Sequence, residues 1–146
     1  GAALADGQVP LSLEHSDLHD GNAFVPVHSP TDPGAPLRFF DFGDAVWGHP
    51  FASLFIPIRE LGQEGARDWR TDPELTALIE AYLEPWTLLA PREELRRLIA
   101  PAITVANLHR AISWVRILST PPPDDPSTMA THVPWILDCL AARVTG

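Results

Sequence analysis

Apolar residues fall along this chain in two rhythms. Up to residue 40 they come in short runs, Val9 to Leu13, Ala23 to Val27 and Leu37 to Phe40. Short apolar runs bounded by Gly, Pro and Asp predict strands. The first extends over 9–14, with Pro10 setting its start at an edge. Asp20-Gly21 marks a turn inside the loop 15–22. His28 to Pro36 holds several prolines and Gly34. It is too long for a tight hairpin and predicts a wide loop between the second and third strands.

After the stretch 41–44 the character changes, no further strand is expected, and beyond residue 50 the rhythm is helical. Phe51 to Leu61 predicts a helix stopped by Gly62, despite Pro57. Residues 62–70 read as a polar loop. Thr71-Asp72-Pro73-Glu74 is a helix start: Thr71 or Asp72 caps, Pro73 fits the first turn and Glu74 complements the dipole. Leu75, Leu78, Ile79 and Tyr82/Leu83 follow at helical spacing until Pro85. Pro91-Arg92-Glu93-Glu94 opens another helix. Its apolar face runs through Leu95, Leu98, Ile99, Ala102, Ile103, Ala106 and Ile112 to about Leu118, with a kink at Pro101. Thr120 to Ser127 reads as an exposed loop. Val133 to Val144 reads as a last helix with Trp135, Ile136, Cys139 and Leu140 inward. A small β element followed by helices predicts an α+β fold, mostly helical. Residues 1–50 would carry the loops and 51–146 the helices of one 146-residue domain.

Composition narrows the function. The net charge is −9, and all ten basic residues are Arg. An acidic chain without basic patches argues against nucleic acid and anionic membranes as partners, and it suits a cationic small molecule. No stretch is long and apolar enough for a membrane span. Residues 1–7 lack the basic-then-apolar pattern of a signal peptide. The single cysteine, Cys139, excludes an internal disulfide and a cysteine zinc site. A cytoplasmic location is the expectation.

The chemistry concentrates at the ends of the predicted strands. His15-Ser16-Asp17-Leu18-His19-Asp20-Gly21-Asn22 follows the first, and Asp41-Phe42-Gly43-Asp44 follows the third. A carboxylate such as Asp17 can accept or orient a hydroxyl proton. Asn22 and Asp41 are oxygen donors suited to Mg²⁺, which takes one or two carboxylates plus phosphate oxygens and water. Together they make a half-site for phosphoryl transfer, where positioning and electrostatics do most of the catalysis.

His15-x-Asp17-Leu18-x-x-x-Asn22 followed by Asp41-Phe42-Gly43 resembles the catalytic loop and metal aspartate of protein kinases. The full version is closer to the aminoglycoside phosphotransferase family, which shares the kinase fold and includes choline kinase-like small-molecule kinases. Asp41-Phe42-Gly43-Asp44-Ala45-x-x-Gly48-His49-Pro50 is similar to that family's stretch after the metal aspartate. The resemblance covers residues 13–54; beyond them only the run of helices is similar. It implies Asp17 as catalytic base, Asn22 and Asp41 as Mg²⁺ ligands, and His15 as organiser of the loop. It also implies transfer of the γ-phosphoryl group of ATP or GTP to a small-molecule hydroxyl. An aminoglycoside or other amino sugar leads the acceptor classes; choline-like amines, sugars and macrolides stay open.

Two departures stand out. Ser53 occupies the position before Leu54 where the family usually has Asp. The chain also has no lysine, whereas the family's N-terminal lobe supplies a phosphate-binding one. The expectation is therefore a C-terminal lobe, inactive by itself, whose apolar surface is covered by the missing lobe or by self-association. Two other readings compete. Ser16-Asp17-Leu18-His19 and Gly43-Asp44 also resemble the first blocks of metallophosphoesterases, but no later Gly-Asn-His block completes a two-metal site. The other is a degenerate kinase-like module that binds a ligand without chemistry. His19 reads as loop packing, and His28, His49, His109 and His132 lack metal-like spacing. Most of the five tryptophans read as core. Glu80, Glu84, Glu93 and Glu94 read as solvated helix faces, or as an acidic subsite for an amine-bearing acceptor.

Overall fold

A computed structural model describes residues 7, 9–25, 36–63, 67–119, 134 and 137. Contacts divide the chain into two compact units, Gly1–Ile103 and Thr104–Gly146. The first contains both candidate loops. Its elements are strands β1 (Ser12–Glu14), β2 (Ala23–Phe24), β3 (Arg38–Phe39) and β4 (Val46–Gly48), then helices α1 (Phe55–Gln63) and α2 (Pro73–Leu83) and the first part of α3 (Arg92–Ser119). The α+β, mostly helical class is as expected.

The strands are shorter than their apolar runs and form two antiparallel ribbons. β2 pairs with β3, Ala23 opposite Phe39 and Phe24 opposite Arg38. β1 pairs with β4, Leu13 opposite Trp47 and Glu14 opposite Val46. β4 corrects the expectation that no strand follows Asp41: three residues ending in glycine carry no periodicity to read. The β1–β4 ribbon also reverses the usual amphipathic order. Leu11, Leu13 and Trp47 are exposed, Trp47 at 71%, while Glu14 is 4% exposed. Trp47 therefore departs from the expectation of core tryptophans. Trp69 and Trp86 meet it, both packing against the core.

The helical part follows its local signals. A 3₁₀ turn, Pro50–Leu54, leads into α1, with the His49 ring accepting from the Phe51 amide at its start. The expected helix over Phe51–Leu61 thus begins as 3₁₀. It runs past Gly62 to Gln63, and a side chain not anticipated closes it. The Arg67 guanidinium donates to the Leu61 carbonyl at 2.8 and 3.2 Å and reaches Glu74 at 2.7 Å, linking the end of α1 to the start of α2. Gly62 permits this approach, because a Cβ there would stand 3.1 Å from the Arg67 carbonyl oxygen.

At the start of α2, Asp72 Oδ1 accepts from the Glu74 and Leu75 amides, both at 3.0 Å, with Pro73 in the first turn. Leu75, Ile79 and Leu83 form its buried stripe. After Leu83 the chain tightens into a 3₁₀ turn, Glu84–Leu88, that accommodates Pro85. α3 continues through Pro101. Leu95, Ile99 and Ala102 are buried on it as expected, whereas Ile112 is half exposed. The core of this unit joins Phe51, Leu54, Ile58, Ile79, Leu83, Leu95 and Ile99. Phe51, fully buried, meets the Tyr82 and Trp86 rings edge-on at 6.0 and 5.6 Å. The expected loop Thr120–Ser127 lies outside the described residues, as does the expected helix Val133–Val144 apart from Pro134 and Leu137. Among the described residues no helix is long and apolar enough to cross a membrane.

Candidate functional site

The loop after β1 and the loop after β3 are tied together through one residue, Phe40. His15 Nε2 donates to the Phe40 carbonyl at 2.8 Å, and the Phe40 amide donates to the Asn22 carbonyl at 3.2 Å. Phe40 is thereby held between the first and last residues of the loop 15–22. Asp41 is the residue that follows this clamped position. The His15 ring also lies 4.6 Å from the Phe42 ring, so it contacts both neighbours of Asp41. His15 is 7% exposed and Asn22 6%. Both act as braces from inside, while Asp41 is exposed and Asp17 partly so.

Asn22 closes its own loop as well. Its Nδ2 donates to the Asp17 carbonyl at 3.0 Å. That orientation leaves Oδ1 as the end of the amide available to a ligand. An amide oxygen and a carboxylate are donor types that Mg²⁺ takes when phosphate oxygens and water complete the shell.

Two residues other than glycine have positive φ among the described residues, and both belong to this site: Ser16 at 63° and Asp41 at 59°. Left-handed backbone is disfavoured for residues with a Cβ, costing about 1–3 kcal/mol where the residue is not glycine. One of the two strained residues precedes the candidate base, and the other is the candidate metal carboxylate. The Asp41 carboxylate lies over Gly43, its Oδ1 3.4 Å from where a Cβ would stand.

His19 has a local task. Its Nδ1 accepts from the Gly21 amide at 3.1 Å, capping the 3₁₀ turn Asp20–Asn22. A Cβ on Gly21 would stand 2.8 Å from the His19 ring, so this cap requires glycine there. Among the described residues no group of three or more His, Cys, Asp or Glu gathers as a metal site.

Three side chains beside the site had no part in the chemistry expected of it. Glu14 is buried under the start of the loop, and burial pushes its carboxyl above the usual range. His49 is buried, and burial holds its imidazole below its ordinary value, consistent with Nδ1 acting as an acceptor. Tyr82 donates to the Pro50 carbonyl at 2.8 Å, pinning the turn after β4 to α2. Burial, then the Glu14 charge, push the Tyr82 hydroxyl up to about 12. A glutamate ending an apolar strand was the one signal in the sequence that pointed to this cluster.

The glutamates weighed as an acidic subsite are largely engaged. Glu80 accepts from Arg96 at 2.6 and 2.8 Å and from Arg92 at 2.9 Å. Arg96 and then Arg92 hold its carboxyl below the usual range. Glu84 pairs with Arg92, and Glu93 with Arg97.

No family model, curated protein or solved structure matches the chain.

Proposed function

We propose that this chain carries the catalytic and metal loops of a small-molecule phosphotransferase, which moves the γ-phosphoryl group of ATP or GTP to a hydroxyl acceptor. One observation carries the reading. Hydrogen bonds from both ends of the loop 15–22 to Phe40 put Asp41 next to the loop that holds Asp17 and Asn22. A base, a carboxamide and a carboxylate then belong to two loops joined at one residue, which supports the reading.

Asp17 accepts or orients the acceptor hydroxyl proton, and its loop is closed by the Asn22 amide. Asn22 and Asp41 would hold Mg²⁺, which when bound neutralises phosphate charge and aligns the transferring group. His15 keeps the two loops in register. A cationic acceptor such as an amino sugar suits the net charge of −9. The exposed apolar residues of both ribbons, Leu13, Phe24, Phe39 and Trp47 among them, mark where a nucleotide-bearing lobe or a second copy would sit.

Mn²⁺ tests the metal pair independently of turnover. Added as a paramagnetic substitute for Mg²⁺, it is expected to broaden the NMR signals of Asn22 and Asp41 first, and Asp41→Ala is expected to abolish that selectivity. In the native polypeptide that carries these residues, Asp17→Ala is expected to lower kcat by about 10²–10⁴-fold and leave nucleotide binding intact. Persistent turnover in Asp17→Ala would overturn the assignment of the base.

A further inference from the structure

Away from the candidate loops, the turn before α2, α2 itself and the first part of α3 enclose a cleft of about 210 Å³ that opens to solvent. Ile79 and Ile99 line it, and both are almost fully buried. The Trp69 ring adds an aromatic wall. An apolar lining with a few placed polar groups is how small-ligand sites are built.

The polar groups give the cleft a sign. Its charged lining residues are Arg70, Glu80 and Arg96. The sequence offers Glu80 to an amine, but in the fold its carboxylate is already occupied. It accepts from Arg96 at 2.6 and 2.8 Å and from Arg92 at 2.9 Å. The arginines are used less completely. Glu80 takes Nε and Nη2 of Arg96 and leaves the Nη1 edge of that guanidinium to a ligand. The Arg70 guanidinium stands over the Trp69 ring, 4.5 Å from its centroid. Its pair with Asp68 is 3.6 Å, too long for a hydrogen bond. The same Asp68 oxygen accepts from the Arg70 amide instead, at 3.0 Å. Stacking on an aromatic face also restricts the Arg70 side chain, which lowers the entropy lost when it takes up a ligand.

We propose that this cleft binds a small amphipathic anion, an aryl or branched-alkyl carboxylate. The apolar body lies against Trp69, Ile79 and Ile99, and the carboxylate accepts from Arg70 and Arg96. Guanidinium groups suit that head because their N–H groups match the two oxygens of a carboxylate. Asp17, Asn22 and Asp41 are not among the lining residues, so the proposal is independent of the phosphotransfer reading.

Three probes that share a ring and a chain make the test: 3-phenylpropanoate, 3-phenylpropanamide and 3-phenylpropylamine. Each is titrated into the full 146-residue chain and followed by NMR at the Trp69 indole N–H and the amides of Thr76 and Ile99. The carboxylate is expected to shift these signals saturably. It should bind about 10–100-fold more tightly than the amide, the scale of a hydrogen bond to a charged group. The amine is expected to give no saturable shift. Arg70→Met removes one charge while keeping a long stem, and is expected to weaken the carboxylate about 10-fold and leave the amide unaffected. Thr76, an exposed residue of α2, lines the cleft. Thr76→Trp fills the space from that position and is expected to abolish carboxylate binding while the thermal midpoint holds.

Equal affinity for carboxylate and amide would overturn the proposal, because the cleft would then be an apolar crevice without a sign. Tighter binding of the amine would overturn it in favour of an acidic subsite. Carboxylate shifts that survive Thr76→Trp, or no saturable shift in the wild-type chain, would also refute it. None of these readouts depends on turnover or on Mn²⁺ binding, so a failed phosphotransfer reading would leave them intact.

Discussion

The two halves of the first compact unit are built on different terms. The helices are held by many redundant interactions. Capped starts, a buried stripe on α2, the Phe51–Tyr82–Trp86 cluster and the Arg92–Glu80–Arg96 pairs all support one another. The ribbons that carry the site have two or three residues per strand and exposed apolar side chains. They depend on a few particular bonds, His15 to Phe40, Phe40 to Asn22, and Asn22 to Asp17. The strained residues lie entirely on the ribbon side. The helical half thus supplies stability in bulk and the ribbon half uses it to hold two unfavourable conformations. Pro50–Leu54 joins them: Phe51 enters the helical core, and the Pro50 carbonyl accepts from the Tyr82 hydroxyl.

That contrast can be broken at its joint. Phe51→Ala removes the fully buried ring at the junction and is expected to cost about 3–5 kcal/mol, measured by urea unfolding. Because the site is anchored through this turn, loop amides 15–22 should lose protection together with α2. Loop protection surviving while α2 melts would show that the ribbons stand independently.

A smaller change tests the helical half on its own. Asp72→Ala removes the cap from two amides and is expected to cost about 1 kcal/mol, while Asp72→Asn costs less. The candidate site should not respond, since the redundancy of the helical packing absorbs the loss. An altered Mn²⁺ broadening pattern in Asp72→Ala would mean that the two halves are coupled more tightly than their bonds suggest.

The smallest expected effect is in pH. The His49 pKa lies below its ordinary value of 6.5 because the ring is buried. Its contribution to stability is therefore present above 6.5 and is lost as the pH falls through the lowered folded-state pKa. His49→Asn keeps a capping side chain without a titrating ring. It is expected to show a flatter dependence of unfolding free energy between pH 7 and about 5 than the wild type. Parallel curves for the two proteins would remove His49 from the anchoring of the joint.

Several parts of this molecule were readable before any coordinates. The start of α2 was one, because Asp72, Pro73 and Glu74 act on amides within three residues of themselves. The buried stripe Leu75, Ile79 and Leu83 was another, since helical spacing alone puts them on one side. Asp17, Asn22 and Asp41 could be named as candidates by type and spacing alone. β4 was not readable, because Val46–Gly48 becomes a strand only by pairing with Ser12–Glu14. The pairing of Glu80 with Arg92 and Arg96 was missed for a related reason, as it spans two helices.

The amino-acid pattern by itself determined the helix starts, the apolar stripes and the residue types on offer for chemistry, all set by neighbours a few positions away. Tertiary structure alone decided that Phe40 would bind the two loops together. It decided that the polar side of β1 would face inward, with Glu14 buried. Each of these depends on groups brought close from distant parts of the chain, and no local periodicity encodes such a meeting.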